Sequence, residues 1–166
     1  MLKLKNAPGL SYKLMTTGLM LTIDEYDIAT TPDDAAAQAV IDAWTVADSA
    51  AYVGSQVIAY AKALRDKVVA PISSGEMASW PIKAAEAAKF AATGDLTQAP
   101  LLMAEAEARN ATVSTLAAQV GANARKFLAL EAGIAGTDGK HRDALKACTS
   151  FDDIAAYNWS TGWPQV

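Results

Sequence analysis

The chain has 166 residues, of which 52% are apolar, only 7% aromatic and 19% charged. That length suits one domain with a sizeable core, and alanine, at about a fifth of all positions, far exceeds ordinary usage and points to close-packed helices rather than a large sheet. A formal charge of −4 and a pI near 4.9, with 14 dispersed basic residues, argue against a nucleic-acid binder and disfavour a membrane-surface role.

Residues 1–30 differ from the rest and read as a small β element. Leu2 and Leu4 alternate with Lys3 and Lys5, and Pro8-Gly9 marks a turn. Ser11 to Thr17 then reads as a second strand and Leu19 to Ile28 as a third. Such a meander must pack on something, either the chain's own helices or a partner. Thr31-Pro32-Asp33-Asp34 predicts a helix start, with Thr31 as cap and the helix running to about Trp44.

A longer helix is expected from about Asp48. Val46, Ala50, Val53, Val57, Tyr60, Leu64 and Val68 form one apolar stripe, and Pro71 ends it. Its length and single seam would allow a coiled-coil strand, self-association, or an arm of an intramolecular bundle paired with the helix at 112–131. Ser73 and Glu76 predict a capping box opening a helix over 75–92. Trp80 and Pro81 lie in its first turns, Glu86 and Lys89 on its exposed positions, and Gly94 near its stop. A short helix follows Pro100, and Asn110 or Thr112 caps a fifth. Gly133, Gly136 and Gly139 predict a break, after which Lys140 to Ala147 is helical again. Ser150 caps a last short helix with Asp153 at its third position, and the end carries Trp159 and Trp163 in an irregular segment. The fold class is therefore mainly α: a bundle of five or six helices, one long, over residues 31–166, with a small N-terminal β element over 1–30.

Little in the sequence carries chemistry. The single cysteine, Cys148, excludes an intrachain disulfide framework and reads as a small packing residue. His141, the one histidine, lies in Gly139-Lys-His-Arg-Asp143 and reads as a solvated residue at a helix start. A catalytic or ligand-binding domain using His141, Arg142 and Asp143 is the rival reading. The acidic residues Asp24, Glu25, Asp27, Asp33 and Asp34 lack the glycine-bearing loop of a calcium site. They read as a charged strand edge and a helix start, so no metal or cofactor is expected. No apolar run approaches the ~20 residues that span a bilayer, and Pro8-Gly9 interrupts any leader, so a cytosolic, unsecreted chain is expected.

Three segments together resemble a known family. They are Glu76-Met-Ala-Ser-Trp-Pro-Ile-Lys-Ala-Ala-Glu-Ala87, Ala99-Pro-Leu-Leu-Met-Ala-Glu-Ala106 and Gly139-Lys-His-Arg-Asp-Ala-Leu145. In that order and spacing they are similar to a helical domain of small bacteriophage and prophage proteins, described as tail or tail-fibre-assembly proteins. The ending Asp153-Ile-Ala-Ala-Tyr-Asn-Trp-Ser-Thr-Gly-Trp-Pro164 resembles theirs too. The likeness covers about 60–160; Ser-Trp-Pro is its distinctive part, and Gly139-x-x-Arg142 corresponds to a turn ending a long helix.

The resemblance implies a non-enzymatic protein that assists fibre assembly or attachment, or stays in the virion tail. Its partner would be a tail-fibre or other tail protein, or a second copy. It implies a location in the virion tail or the host cytoplasm, and no catalytic residues. The variable N-terminal part would decide attachment. The candidate contact residues are Leu2, Leu4, Tyr12, Leu14, Trp159 and Trp163, with strand addition as one mode for residues 1–30. A bacterial helical adaptor is the further alternative.

Overall fold

A computed structural model describes residues 2–24 and 27–166. The protein is mainly α with a small N-terminal β element. Among the described residues are three short strands, β1 (Leu2–Lys3), β2 (Thr22–Ile23) and β3 (Ile28–Thr30), and seven α-helices. These are α1 (Leu10–Thr16), α2 (Asp34–Ala43), α3 (Val46–Val69), α4 (Ser74–Thr93), α5 (Pro100–Ala108), α6 (Val113–Ala147) and α7 (Phe151–Ala156). A single 3-10 turn, Leu96–Gln98, precedes α5.

The chain divides into two compact units. Unit 1 holds residues 1–63 and 135–163; unit 2 holds 64–134 and 164–166. Both main boundaries fall inside helices, α3 after Ala63 and α6 after Ile134.

In unit 1 the strands form an antiparallel sheet ordered β1-β3-β2, with Leu2 opposite Ala29 and Ile23 also opposite Ala29. The expected strand at 11–17 is a helix. Leu10 and Leu14 stand four apart and are both fully buried, so a helical face, and not alternation, places them in the core. The preceding Gly9 supplies a left-handed turn at φ 86. A Cβ at Gly9 would lie 2.4 Å from Cγ of Tyr52, so conformation and packing both require glycine.

In place of the expected third strand, Leu19–Ile28, stand two short strands, β2 at Thr22–Ile23 and β3 from Ile28 to Thr30. Asp27 adopts φ 59, which aspartate tolerates better than most residues, and the Asp24 carboxylate accepts the Ile28 N–H at 3.0 Å. Glu25, also assigned to the acidic cluster, lies outside the described residues. One core joins this region to α2: Leu4, Leu10, Leu14, Met20, Ala29, Ala37 and Ile41.

Helix α2 starts later than expected. Asp33, not Thr31, is the cap, accepting the Ala36 N–H at 3.0 Å. The stripe on α3 is real: Val53 and Val57 are buried with Leu145 and Ile154 in a second core of unit 1. Cys148 is half-buried beside them. Ser150 caps helix α7 as expected, and with Asp153 it forms a full capping box, with Asp153 N–H to Ser150 Oγ at 3.1 Å and Ser150 N–H to Asp153 Oδ2 at 3.0 Å.

Unit 2 is built on α4 and α5. Ser73 caps α4 by accepting the Glu76 N–H at 3.1 Å, and Gly94 closes it in the left-handed conformation at φ 68. Pro81 lies inside the helix, which continues past it, while the half-buried Trp80 sets its ring edge-to-face on Phe127, 5.7 Å between centroids. Thr112 caps α6, accepting the Thr115 N–H at 3.1 Å.

The break expected at Gly133, Gly136 and Gly139 does not exist, because α6 runs unbroken to Ala147. The Gly139–Arg142 segment is thus helix interior, not a turn. At Gly133 the missing side chain admits Pro164, 3.5 Å from where a Cβ would stand.

Candidate functional site

The residues expected to contact a partner stand in four different environments. Leu4 and Leu14 are core residues, 7% and 0% exposed, which removes them from any contact surface. Leu2 is half-buried against the same core. Tyr12 is 58% exposed and leans on Tyr52, with centroids 5.5 Å apart and planes tilted 40°.

Trp159 and Trp163 dock on their own unit. Tyr60, from α3, meets Trp159 at 5.9 Å and Trp163 at 5.2 Å, edge-on to both. The Trp163 indole N–H donates to the Trp159 carbonyl at 2.9 Å, and the Thr137 hydroxyl donates to the Gly162 carbonyl at 3.1 Å. Gly162, at φ 82, bends the segment so that both bonds form.

His141 holds this arrangement together. Far from being a solvated helix-start residue, it lies inside α6 and is 4% exposed. Its Nε2 meets the Thr161 carbonyl at 2.9 Å, and its Nδ1 meets the Tyr157 hydroxyl at 2.7 Å. A carbonyl only accepts, so Nε2 carries the hydrogen, and in the uncharged ring Nδ1 accepts from Tyr157. The ring also packs against Tyr157 and Trp163. Burial, with a smaller contribution from Cys148, pushes the Tyr157 phenol above its ordinary value.

His141, Arg142 and Asp143 do not converge on a common point. Arg142 forms a two-pronged pair with Asp138, both contacts at 3.0 Å. Asp143 stands exposed beside Lys146 at 3.6 Å.

In unit 2 the missed residue is Glu86. Expected on the exposed face, it is 9% exposed and caps a neighbouring helix. Its carboxylate accepts the Leu101 N–H at 3.2 Å and the Leu102 N–H at 3.0 Å. Helix α5 has no side-chain cap of its own at Ala99, so Glu86 satisfies donors that would otherwise be unpaired. The signal was in the sequence: Ala99-Pro100 opens a helix without any Ser, Thr, Asp or Asn at the cap.

Glu105 joins the same two helices. Burial works to raise its carboxyl, but hydrogen bonds from Arg109 at 2.9 Å and Lys83 at 3.2 Å outweigh it, holding the group below its usual value. Arg65 grips Glu131 through both its Nε and Nη2, at 2.7–3.0 Å, and lowers that carboxyl too.

Among the described residues no three His, Cys, Asp or Glu side chains stand close enough to hold a metal ion. No described helix is long and apolar enough to cross a membrane. No family model matches the chain, and neither a curated protein nor a solved structure matches it.

Proposed function

We propose that this chain is a non-enzymatic bacteriophage tail protein associated with the tail fibre, acting in fibre assembly or attachment or retained as a structural part of the virion. The observation that carries this reading is where the polar chemistry goes. Among the described residues the buried polar side chains are Ser49, Glu86 and His141, and each is bonded to the chain itself. Ser49 takes the Trp44 indole N–H at 2.8 Å, while Glu86 caps α5 and His141 clamps the C-terminal segment. Such groups tie segments of the chain to one another, and exposed apolar side chains such as Leu21, Ile82 and Leu128 stand among the charged residues of the surface.

The likeness in Glu76–Ala87, Ala99–Ala106, Gly139–Leu145 and Asp153–Pro164 supplies the tail assignment, although Gly139–Arg142 is helix interior here and not the turn that the likeness implies. Its distinctive Trp80 and Pro81 belong to scaffold, as an identifying feature of a domain and not of a catalytic site would. Attachment through residues 1–30 finds support in β2, which forms one edge of the sheet and has Leu21 at 63% and Ile23 at 41% exposure beside it. An edge strand flanked by exposed apolar side chains suits strand addition by a fibre segment.

Mass spectrometry of purified particles and of the soluble fraction of producing cells tests the reading. The chain is expected to co-purify with the fibre protein in at least one of the two fractions. Separation from every tail protein in both would overturn it.

A further inference from the structure

Between Lys13 and Lys62 the sequence has seven Asp or Glu residues and no Lys, Arg or His. The chain's net charge of −4 therefore arises wholly within this stretch. Strands β2 and β3 lie inside it, in unit 1.

β2 forms one edge of the sheet, and Leu21, Thr22, Ile23 and Asp24 are all exposed. Successive side chains of a strand point to opposite faces, and directly opposed residues share a face. Ile23 stands opposite Ala29, which stands opposite Leu2 on β1. That row crosses the sheet from half-buried Leu2 through fully buried Ala29 to Ile23, which is still 41% exposed. A fourth strand beside β2 would extend the row and cover Ile23. On the other face the opposed pair Thr22 and Thr30 is polar and exposed.

We infer that the outer edge of β2 takes up an extended segment of a partner protein in which apolar and basic residues alternate. The inference rests on the attachment role proposed for residues 1–30 and specifies the partner. The backbone donors and acceptors of an edge strand select an extended chain over a helix. The two faces of β2 select the alternation: an apolar side chain extends the row at Ile23, and a polar one falls beside Thr22.

Charge selects basic residues for the polar positions. Asp24 follows β2 directly and Asp27 precedes β3, while Asp33 and Asp34 come three and four residues after Thr30, which pairs with the other end of β2. Acidic residues thus flank β2 at both ends of its ladder, with no basic residue in the same stretch of chain. A basic segment is attracted there and an acidic one repelled. A second copy brought edge to edge would set one acidic stretch against the other, which disfavours self-pairing at β2.

Titration calorimetry on the full 166-residue chain at low salt decides it. The probes are a blocked heptapeptide alternating Lys and Val, the same peptide with glutamate for lysine, and the lysine peptide with every backbone N–H methylated. The lysine peptide should bind, and the glutamate peptide about tenfold or more weakly, a difference that added salt narrows. The methylated peptide keeps the charge but has no backbone donors, so its binding should be lost. Ile23→Thr, a β-branched replacement at an exposed position, should weaken the lysine peptide about fivefold, with circular dichroism melts confirming that the variant is folded. Absence of lysine-peptide binding, equal binding of the methylated or the glutamate peptide, or binding indifferent to Ile23→Thr would overturn the inference. Co-purification with tail proteins is read separately: if it holds while the peptides fail, the tail reading stands and this choice of partner is wrong. If co-purification fails while the lysine peptide binds, the reverse is true.

Discussion

Glu86 is a charged residue in an alanine-rich helix, and its position shows how a single side chain can join two helices. Leu102, whose N–H it accepts, is fully buried, so removing the carboxylate leaves a donor without a partner. Glu86→Ala should destabilise the chain by about 1–3 kcal/mol in urea unfolding. Glu86→Gln, which keeps one acceptor oxygen, should lose clearly less. Equal losses would mean that the helix-capping role is wrong.

His141 plays the corresponding part in unit 1. His141→Ala removes two hydrogen bonds and ring contacts with Tyr157 and Trp163. A loss of about 2–3 kcal/mol is expected, with a red shift of tryptophan emission as Trp163 meets water. Unchanged emission would show that the C-terminal segment stays docked without it.

At the scale of elements, α6 is the informative case. Its 35 residues include three glycines that sequence reasoning takes for a break. Glycine weakens a helix by roughly 0.5–1 kcal/mol against alanine, a penalty that flanking turns and tertiary contacts can outweigh. Gly136 has open space where a Cβ would stand. Gly136→Ala should therefore stabilise the chain by about 0.5–1 kcal/mol, seen as a higher melting temperature; a destabilised variant would contradict a continuous helix there.

The same competition between local and tertiary signals explains what was legible. Caps were readable at Ser73, Thr112 and Ser150, where a short polar side chain bonds its own helix, whereas at α2 four polar residues around Pro32 hid that Asp33 and not Thr31 caps. The α3 stripe was readable because one face repeats over many turns. Leu10 to Thr16 was misread because seven residues fit either period, and only the buried Leu10–Leu14 pair separates them. Glu86 and His141 were misread because their partners lie 15 to 20 residues away, beyond any local pattern. Of the candidate contacts, Tyr12 kept its exposure, whereas Leu4 and Leu14 went to the core as their apolar character allows.

At the scale of the whole molecule, acid should be the effective denaturant. Hydrogen bonds from Ser150 to Asp153, from Arg65 to Glu131, from Thr45 to Asp48 and from Thr97 to Asp95 all hold carboxyls below their ordinary values. Each lowered group contributes stability that is complete above its unfolded value, near 3.9 for Asp and 4.3 for Glu. That contribution is lost as pH falls through the lower folded value. Urea midpoints should thus be nearly flat from pH 7 to about 5 and decline below about 4. A midpoint that rose on acidification would contradict these assignments.

The tail assignment makes the largest claim about the whole molecule, because it places the chain in an assembly. Its most direct test is deletion of the coding sequence from the producing phage or prophage, followed by counting fibres on particles by electron microscopy. Either role, assembly factor or virion subunit, predicts particles with missing or sparse fibres, restored when the chain is supplied from a plasmid. Particles with a full set of fibres and unaltered adsorption would contradict the account.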